Sequence, residues 1–260
     1  MKSRAIRCLA FSFLLLPFWV LNVHADSINL GTAGSFGVLA GSTVTNTGSS
    51  VITGNLGVWP GTAVTGFPPG IVIGGTIHAG DAVAKNAQTD LTTAYNVAAG
   101  LPSTVNLTGQ DLGGMVLTPG VYHFDSSAQL TGTLTLNNLG NPNALFVFQI
   151  GSTLTTASSS AVLFTNSLDA NVFWQVGSSA TLGTTTAFAG NILALTSITL
   201  NTGASITCGS ALARNGAVTL DTNVITNCGA VTTVPEPGTL GMLGSGLAIL
   251  AGVVRRKMRL

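Results

Sequence analysis

Residues 178–219 read SSATLGTTTAFAGNILALTSITLNTGASITCGSALARNGAVT, and one four-residue cassette occurs three times within them. The cassette consists of two small or hydroxyl residues, one apolar residue and then Thr. Its copies end at Thr181, Thr199 and Thr219, so the steps between them are 18 and 20 residues. A near-constant step of this length is typical of a solenoid, in which each repeat forms one coil and buries its apolar face only against neighbouring coils.

The chain between the cassettes looks like strands. Short apolar and aromatic runs, such as residues 145–150 and 172–176, are bounded by Gly, Ser and Asn, which is typical of β-strands. We therefore predict a chain dominated by β-structure and built as stacked coils. Periodicity alone leaves a β-sandwich as the alternative.

Residues 81–99 are the exception, because they contain no Gly or Pro and their apolar residues recur three or four apart. This spacing predicts one amphipathic α-helix, which Gly100 and Pro102 would end. We expect its apolar stripe to pack along one side of the solenoid.

The N-terminus has the pattern of a secretory signal peptide. Basic residues precede an apolar run at 9–21, and Val23-His24-Ala25 supplies a cleavage site. We predict that residues 1–25 are removed on export. A transmembrane anchor is the alternative for this segment.

The C-terminus carries Pro235, Glu236 and Pro237, then an uncharged apolar segment at 238–254 and a basic tail at 255–260. The apolar segment is just long enough to span a bilayer, and the basic tail would stay in the cytoplasm. Residues 234–260 resemble the PEP-CTERM sorting signal. The resemblance implies processing by an exosortase-type protease, transient anchoring in the inner membrane, and display at the surface or in the extracellular matrix of a Gram-negative bacterium. A plain C-terminal anchor is the alternative.

Residues 26–233 are expected to form a single domain with little charge. Lys85 and Arg214 stand against seven Asp residues and no Glu, which gives a net charge of −5. A basic surface for nucleic acid is therefore not expected. Carboxylates are scattered singly, and His78 and His123 lack metal-ligand spacing, so we predict no catalysis, no metal and no cofactor. A polysaccharide-cleaving enzyme using Arg214 is a distant alternative.

Cys208 and Cys228 lie 20 residues apart, which is one coil. Equivalent residues on neighbouring coils are separated by about 4.8 Å, inside the Cα–Cα range of roughly 4.4–6.8 Å for disulfides. We predict that the two residues are bonded, with two free buried thiols as the alternative.

The cassettes suggest a binding face. Further copies end at Thr45, Thr65, Thr135 and Thr155. Since side chains alternate across a strand, the apolar third residue would face inward and the Thr outward. An uncharged grid of hydroxyl and methyl groups can hold ordered water without strongly reorganising it, as adsorption to ice requires. The alternative is that Thr is abundant because it fits a pleated surface.

Residues 28–224 resemble the microbial β-solenoid ice-binding proteins with a flanking α-helix. The similar segments include residues 29–36, 52–58, 113–122, 147–150, 173–176 and 181–194. The resemblance implies a right-handed discontinuous β-helix of triangular section, whose N-terminal coils close against C-terminal ones. It also implies that a cassette of Thr, then Ala or Gly, any residue, and Thr or Asn lies on the ice-binding face.

We therefore predict a secreted ice-binding protein whose partner is the ice crystal surface, with exopolysaccharide as a further partner. It would adsorb through a flat Thr- and Ser-rich face and inhibit ice growth or recrystallisation. The alternative is a structural or adhesive matrix protein of the same fold without ice activity. The predicted ice-binding residues are Thr62, Thr65, Thr135, Ser152, Thr155, Ser178, Thr181, Thr196, Thr199 and Thr219.

Overall fold

The computed structural model of the protein describes residues 28–165 and 171–228. These residues contain one 3₁₀-helix, Gly31–Ser35, one α-helix and the strands β1 to β24. The strands form three sheets of nine, seven and eight members, and neighbouring strands run parallel, as between β13 and β16 or β20 and β23. The predicted β-solenoid is confirmed, and the β-sandwich alternative is wrong.

The first sheet is the widest and carries the most apolar strands. Its longest members, with sequences LFVFQI and NVFWQV, are buried along most of their length. In spatial order its strands are β7 (Ile77–Ala79), β4 (Asn55–Val58), β1 (Phe36–Ala40), β22 (Ala211–Ala213), β19 (Asn191–Ala194), β16 (Asn171–Val176), β13 (Leu145–Ile150), β10 (Gly120–Phe124) and β8 (Val105–Asn106).

The second sheet contains six of the seven cassettes. Its strands are short, and their burial alternates from one residue to the next. In spatial order they are β11 (Ala128–Leu130), β14 (Leu154–Thr156), β17 (Ala180–Leu182), β20 (Ile198–Leu200), β23 (Val218–Asp221), β2 (Thr43–Thr47) and β5 (Ala63–Thr65).

The third sheet closes the triangle. In spatial order its strands are β6 (Ile71–Ile73), β3 (Val51–Thr53), β24 (Val224–Thr226), β21 (Ser205–Thr207), β18 (Ala187–Ala189), β15 (Ala161–Phe164), β12 (Thr133–Leu136) and β9 (Val116–Leu117).

The first coil of the chain stacks on the last one. Strands β1, β2 and β3 pair with β22, β23 and β24, respectively. Asn227 fixes this junction, because its side-chain amide donates to the carbonyl oxygens of Gly34 and Phe36 at 2.9 and 3.0 Å. The closure implied by the family resemblance is therefore present, and the middle of the solenoid is made from both ends of the domain.

The interior of the solenoid is filled by the inward-pointing apolar side chains of all three sheets. On the first sheet these residues include a stack of aromatic rings, in which Phe148 and Trp174 lie 3.9 Å apart between centroids and nearly parallel. The indole N–H of Trp174 donates to the carbonyl of Ala189 at 3.0 Å, so its one polar atom is satisfied within the core.

The α-helix α1 comprises Ala82–Gly100 and thus begins and ends one residue later than predicted. Asp81 caps it by accepting the N–H of Ala84 at 2.9 Å. Its buried stripe covers the outer side of the first sheet, which is therefore apolar on both faces. The residues of this second core include Leu91, Ala94, Tyr95 and Ala98 of the helix and Leu39, Val147, Phe173, Leu193 and Leu212 of the sheet.

Cys208 and Cys228 form a disulfide with a Cα–Cα distance of 4.5 Å. They follow β21 and β24 on neighbouring coils, so the predicted bond is confirmed.

The two targeting segments, 1–25 and 234–260, lie outside the described residues. Within residues 28–165 and 171–228, no helix is both long and apolar enough to cross a membrane.

Candidate functional site

The three sides of the solenoid differ in what they leave open. The helix covers the outer face of the first sheet. The outward faces of the second and third sheets are covered by no other described element. A large flat binding surface must therefore lie on one of these two sheets.

The second sheet presents a continuous row of threonines, which we call the Thr row. Its members are directly paired from one strand to the next, so they stand about 4.8 Å apart. Their side chains alternate with buried apolar ones such as Leu154 and Ile198, as the cassette predicted. In spatial order the Thr row is Thr155, Thr181, Thr199, Thr219, Thr45 and Thr65.

A parallel row of small residues lies two positions before the Thr row along the chain, in or just before the same strands and about 6.7 Å away. We call it the small row; six of its seven members occupy the second cassette position, which was not included among the predicted site residues. Side-chain hydroxyls tie its members to neighbouring coils: Ser127 and Thr153 share a hydrogen bond of 2.8 Å, and Ser197 Oγ accepts the N–H of Ala217 at 3.3 Å. The small row consists of Ser127, Thr153, Ser179, Ser197, Ala217, Thr43 and Ala63.

The predicted residues at the first cassette position lie at the corner beside this face. Thr62, Ser152, Ser178 and Thr196 precede strands β5, β14, β17 and β20 by one or two residues. Their backbones form a ladder across the coils. The Ser178 N–H donates to the carbonyl oxygen of Ser152, and the Thr196 N–H donates to the carbonyl oxygen of Ser178. They border the flat face and do not extend it.

Gly216 occupies the same corner position in the GAVT cassette because no side chain fits there. A Cβ on Gly216 would lie 2.2 Å from Ser197 Oγ and 2.5 Å from the carbonyl oxygen of Thr196. The GAVT cassette therefore begins with Gly instead of Thr because neighbouring coils pack closely at this corner.

The prediction that Thr135 shares this face is wrong. Thr135 lies on β12 of the third sheet, where it pairs with Leu163 and Val116. The second-sheet strand of that coil is β11, which places Gln129 beside Thr155. The signal was present in the sequence, because SSAQ at 126–129 precedes STLT at 152–155 by the same 26 residues that separate STLT from SSAT at 178–181.

Thr45 was read as a cassette end but was left out of the predicted site. In the structure it lies between Thr219 and Thr65, and its hydroxyl donates to that of Thr219 at 3.4 Å. The Thr row is continuous only because Thr45 fills this position, at the junction between the first and last coils.

Neither row contains an ionisable side chain. The nearest carboxylates are at the margins, where Asp111 forms a bridge with Gln129 and Asp221 ends β23. Burial raises the pKa of Asp111, but hydrogen bonds from Gly113 N–H and from Thr131 lower it by more, so the pKa lies below its ordinary value. The face is therefore uncharged, with an ionised group at its edge.

The third sheet offers a less regular surface. It has a shorter run of threonines at Thr207, Thr226 and Thr53. The surrounding outward positions carry large exposed apolar side chains, namely Ile71, Ile73, Val116, Leu163 and Val224. Of the two open faces, the second sheet has the longer uninterrupted array of hydroxyls.

The two histidines within the described part of the chain, His78 and His123, contribute to local structure. His78 Nδ1 lies 2.7 Å from Asp81, and His123 Nε2 lies 3.0 Å from Asp125. No group of three His, Cys, Asp or Glu side chains that is able to hold a metal ion occurs among residues 28–165 and 171–228.

Comparison with known proteins gives two family matches. The model of the ice-binding-like family matches residues 38–226, and that of the PEP-CTERM protein-sorting motif matches residues 233–257. An ice-binding protein of Nostoc sp. (strain HG1) is 67% identical over 144 residues, which are 55% of this chain and 53% of that protein. One of Flavobacterium frigoris (strain PS1) is 34% identical over 163 residues, 57% of this chain and 58% of that protein. The chain thus matches just over half the length of these curated relatives.

The matches to solved structures cover a larger part of this chain than the matches to the curated relatives do. A crystal structure of an ice-binding protein from an Antarctic biological consortium is 50% identical, with a TM-score of 0.72 over 76% of this chain and 90% of that one. The ice-binding protein of the Antarctic ascomycete Antarctomyces psychrotrophicus is 44% identical, with a TM-score of 0.71 over 76% of this chain and 97% of that one. These solved chains consist of little more than the matched part.

Proposed function

Since this chain belongs to the ice-binding-like family, we propose that it adsorbs to ice through the outward face of its second sheet and inhibits ice growth or recrystallisation. The Thr row carries the proposal. Six threonines follow one another in register, and each offers a hydroxyl and a methyl group at a spacing of about 4.8 Å. The relatives named above as ice-binding proteins support the proposal.

The chemistry of the face suits ordered water. Threonine hydroxyls can donate to and accept from water, while their methyl groups limit how freely that water reorients. A charged side chain would orient water around itself and disturb such an arrangement, and neither row contains one. The small row keeps the face flat, because none of its side chains is larger than Thr.

The proposed site is the Thr row with the small row beside it. Of the residues predicted from the sequence, it keeps Thr65, Thr155, Thr181, Thr199 and Thr219. Thr45 joins them, while Thr62, Ser152, Ser178 and Thr196 are proposed to border the face at its corner. Thr135 has no part in it.

Thermal hysteresis of purified residues 26–234 tests the proposal. This segment should fold alone, because the solved relatives are little longer than the matched part. We expect faceted ice crystals and inhibited recrystallisation. Unshaped crystals at high protein concentration would contradict the proposal, provided that circular dichroism shows the segment to be folded.

We also propose a route to the cell surface. The PEP-CTERM match supports recognition of Pro235, Glu236 and Pro237 by an exosortase-type protease, after residues 238–254 have held the exported chain in the inner membrane. In a Gram-negative host that expresses such a protease, the wild-type protein should lose its C-terminal segment and decrease in mass. A variant with alanine at all three motif positions should keep its full mass. Unaltered processing of this variant would contradict the route.

A further inference from the structure

A groove between the helix and one corner of the solenoid has features that ice binding does not use. It lies where the first sheet turns into the second, and its volume is about 490 Å³, within the usual range of small-molecule sites. Trp59 and Arg214 line it from the solenoid, and Gln88, Thr89, Thr92 and Thr93 line it from the helix.

The walls of the groove come from coils that are not neighbours. Trp59 follows β4 and Arg214 follows β22, and β1 lies between these strands. At the corresponding corner the intervening coil has Gly41, where a Cβ would lie 2.4 Å from the carbonyl oxygen of Arg214. The backbones of Trp59 and Arg214 are therefore about 10 Å apart, with no side chain on the coil between them.

Both cations of the described residues border this groove. Lys85 holds its ammonium 5.7 Å from the centre of the Trp59 ring, and Arg214 lies with its guanidinium 4.7 Å from the centre of the Tyr95 ring. Five Asp residues are spread over the rest of the described chain, yet none lines the groove. The groove is thus the one place in the described structure where positive charge collects.

Arg214 has an unused donor. Its Nε is buried and finds no hydrogen-bond partner among the described residues, although a buried donor normally has one. The Arg214 guanidinium packs against the Tyr95 ring. Tyr95 is held in place by Gln175, whose side-chain amide donates to the tyrosine hydroxyl at 2.8 Å. Nε itself is closed to a ligand, but the Arg214 side chain is partly exposed, and an oriented, partly exposed guanidinium is suited to a carboxylate.

The helix side of the groove is rigid and rich in acceptors. Gln88 ties the helix to the solenoid by donating to the carbonyl of Ala213 at 3.0 Å. Each of the three lining threonines donates its hydroxyl to the carbonyl four residues earlier on the helix. Their oxygens therefore remain free to accept hydrogen bonds from the hydroxyls of a ligand.

We propose that this groove binds an acidic saccharide, with one uronate residue seated between Trp59 and Arg214. The indole offers an apolar face to the sugar ring, the threonines accept from its hydroxyls, and Arg214 and Lys85 bind its carboxylate. The site is separate from the proposed ice-binding face, so either function can fail without the other.

Titration calorimetry of residues 26–234 with an oligomer of galacturonate tests the proposal, and the methyl-esterified oligomer is the matched neutral ligand. We expect binding at millimolar concentration or tighter that weakens with added salt, and no measurable binding of the ester. Trp59→Ala should weaken binding by about tenfold and Lys85→Gln by about threefold. Asn96→Gln, on the exposed helix surface outside the groove, should leave it unchanged.

Several results would overturn the proposal. These are the absence of binding by the wild-type segment, equal binding of the acid and its ester, and unchanged affinity in both groove variants. Stronger binding of inorganic phosphate or a nucleotide would assign the groove to another ligand class. Lys85 is exposed on the helix, so its variant reports on binding even if Trp59→Ala unfolds the protein. Thermal hysteresis should be the same in both groove variants as in the wild type.

Discussion

Single side chains of the second sheet obey two physical constraints. Alternation along each strand sends the apolar cassette residue into the core and the following Thr to the surface. Close approach of neighbouring coils limits what fits at the corners, as at Gly216, where a Cβ would meet Ser197 Oγ at 2.2 Å. The Thr row is the product of the first constraint, and its irregular border is the product of the second.

Gln129 is the one position that interrupts the extension of the Thr row past Thr155. Replacing it by Thr should raise thermal hysteresis modestly, because the row would then contain seven members in register. The measurement compares Gln129→Thr with the wild type at equal concentration, and Gln110→Thr, at an exposed position off the sheets, is the control. An unchanged or lower hysteresis in Gln129→Thr would mean that row length does not limit binding.

Sequence alone identified five residues of the Thr row because alternation and a common cassette act locally. It misplaced Thr135 because an apolar residue followed by an outward Thr suits any of the three sheets. Deciding between sheets requires knowing where each coil turns its corners, and the corner residues vary from Gly to Ser to Thr. The small row coincides with the second cassette position, but its residue type varies among Ala, Ser and Thr, and it was not included in the predicted site.

Among the elements, the helix is the one whose position was least determined by its own sequence. Its apolar stripe predicted that it would pack, and the Gly and Pro that follow predicted where it would end. The stripe did not say which sheet would receive it. That choice depends on outward apolar residues of the first sheet, such as Val147 and Phe173, which read as ordinary strand residues in the sequence.

Removing the helix cap should destabilise the domain in a pH-dependent way. Hydrogen bonds from the N–H of Ala84 and from His78 hold the pKa of Asp81 below its ordinary value. A lowered carboxyl pKa stabilises the fold above the ordinary value near 3.9, and this contribution is lost as pH falls through the lowered value. Asp81→Ala should lower the unfolding midpoint by about 2–4 °C at pH 7.

The difference between Asp81→Ala and the wild type should narrow as the pH falls below the ordinary carboxyl pKa near 3.9. Asp81→Asn keeps a capping oxygen but cannot ionise, so at pH 7 it should be less destabilised than Asp81→Ala and less stable than the wild type. Differential scanning calorimetry at several pH values measures these effects. A midpoint difference that is independent of pH would contradict the role assigned to the carboxylate.

At the scale of the whole molecule, the solenoid is closed by residues far apart in sequence. The first coil stacks on the last, so β1 to β3 are interior strands although they begin the chain. The repeat length predicted a solenoid, but it is constant only over the last coils: neighbouring coils are 26 residues apart at Ser127 and Thr153, and 18 at Ser179 and Ser197. The family resemblance implied that N-terminal coils close against C-terminal ones, but the order of coils at the junction was not predicted, because no local pattern encodes it.

Loss of the disulfide should weaken the fold and leave the binding face intact. The bond closes a loop of 20 residues between neighbouring coils beside the third sheet. Replacing both Cys208 and Cys228 by Ser should lower the free energy of unfolding by about 3 kcal/mol. Urea unfolding measures this, and reduction of the wild type should give the same midpoint. Equal midpoints for the variant and the oxidised wild type would refute the prediction.

Ice activity should be independent of pH across the neutral range. The face carries no ionisable side chain, and Asp111 at its margin has a lowered pKa, so it stays ionised above its ordinary value. Thermal hysteresis should therefore be constant from about pH 5 to pH 9. A marked change within this interval would place a titrating group in the binding surface, where neither the Thr row nor the small row carries one.

The most direct test of the central claim places one bulky side chain on each open face in turn. Thr199→Tyr lies in the middle of the Thr row, and Thr53→Tyr lies in the shorter threonine run of the third sheet. Both variants should fold, because both positions point outward. We predict that Thr199→Tyr loses most of its thermal hysteresis while Thr53→Tyr keeps that of the wild type. The reverse result, or equal activity in both variants, would contradict ice binding through the second sheet.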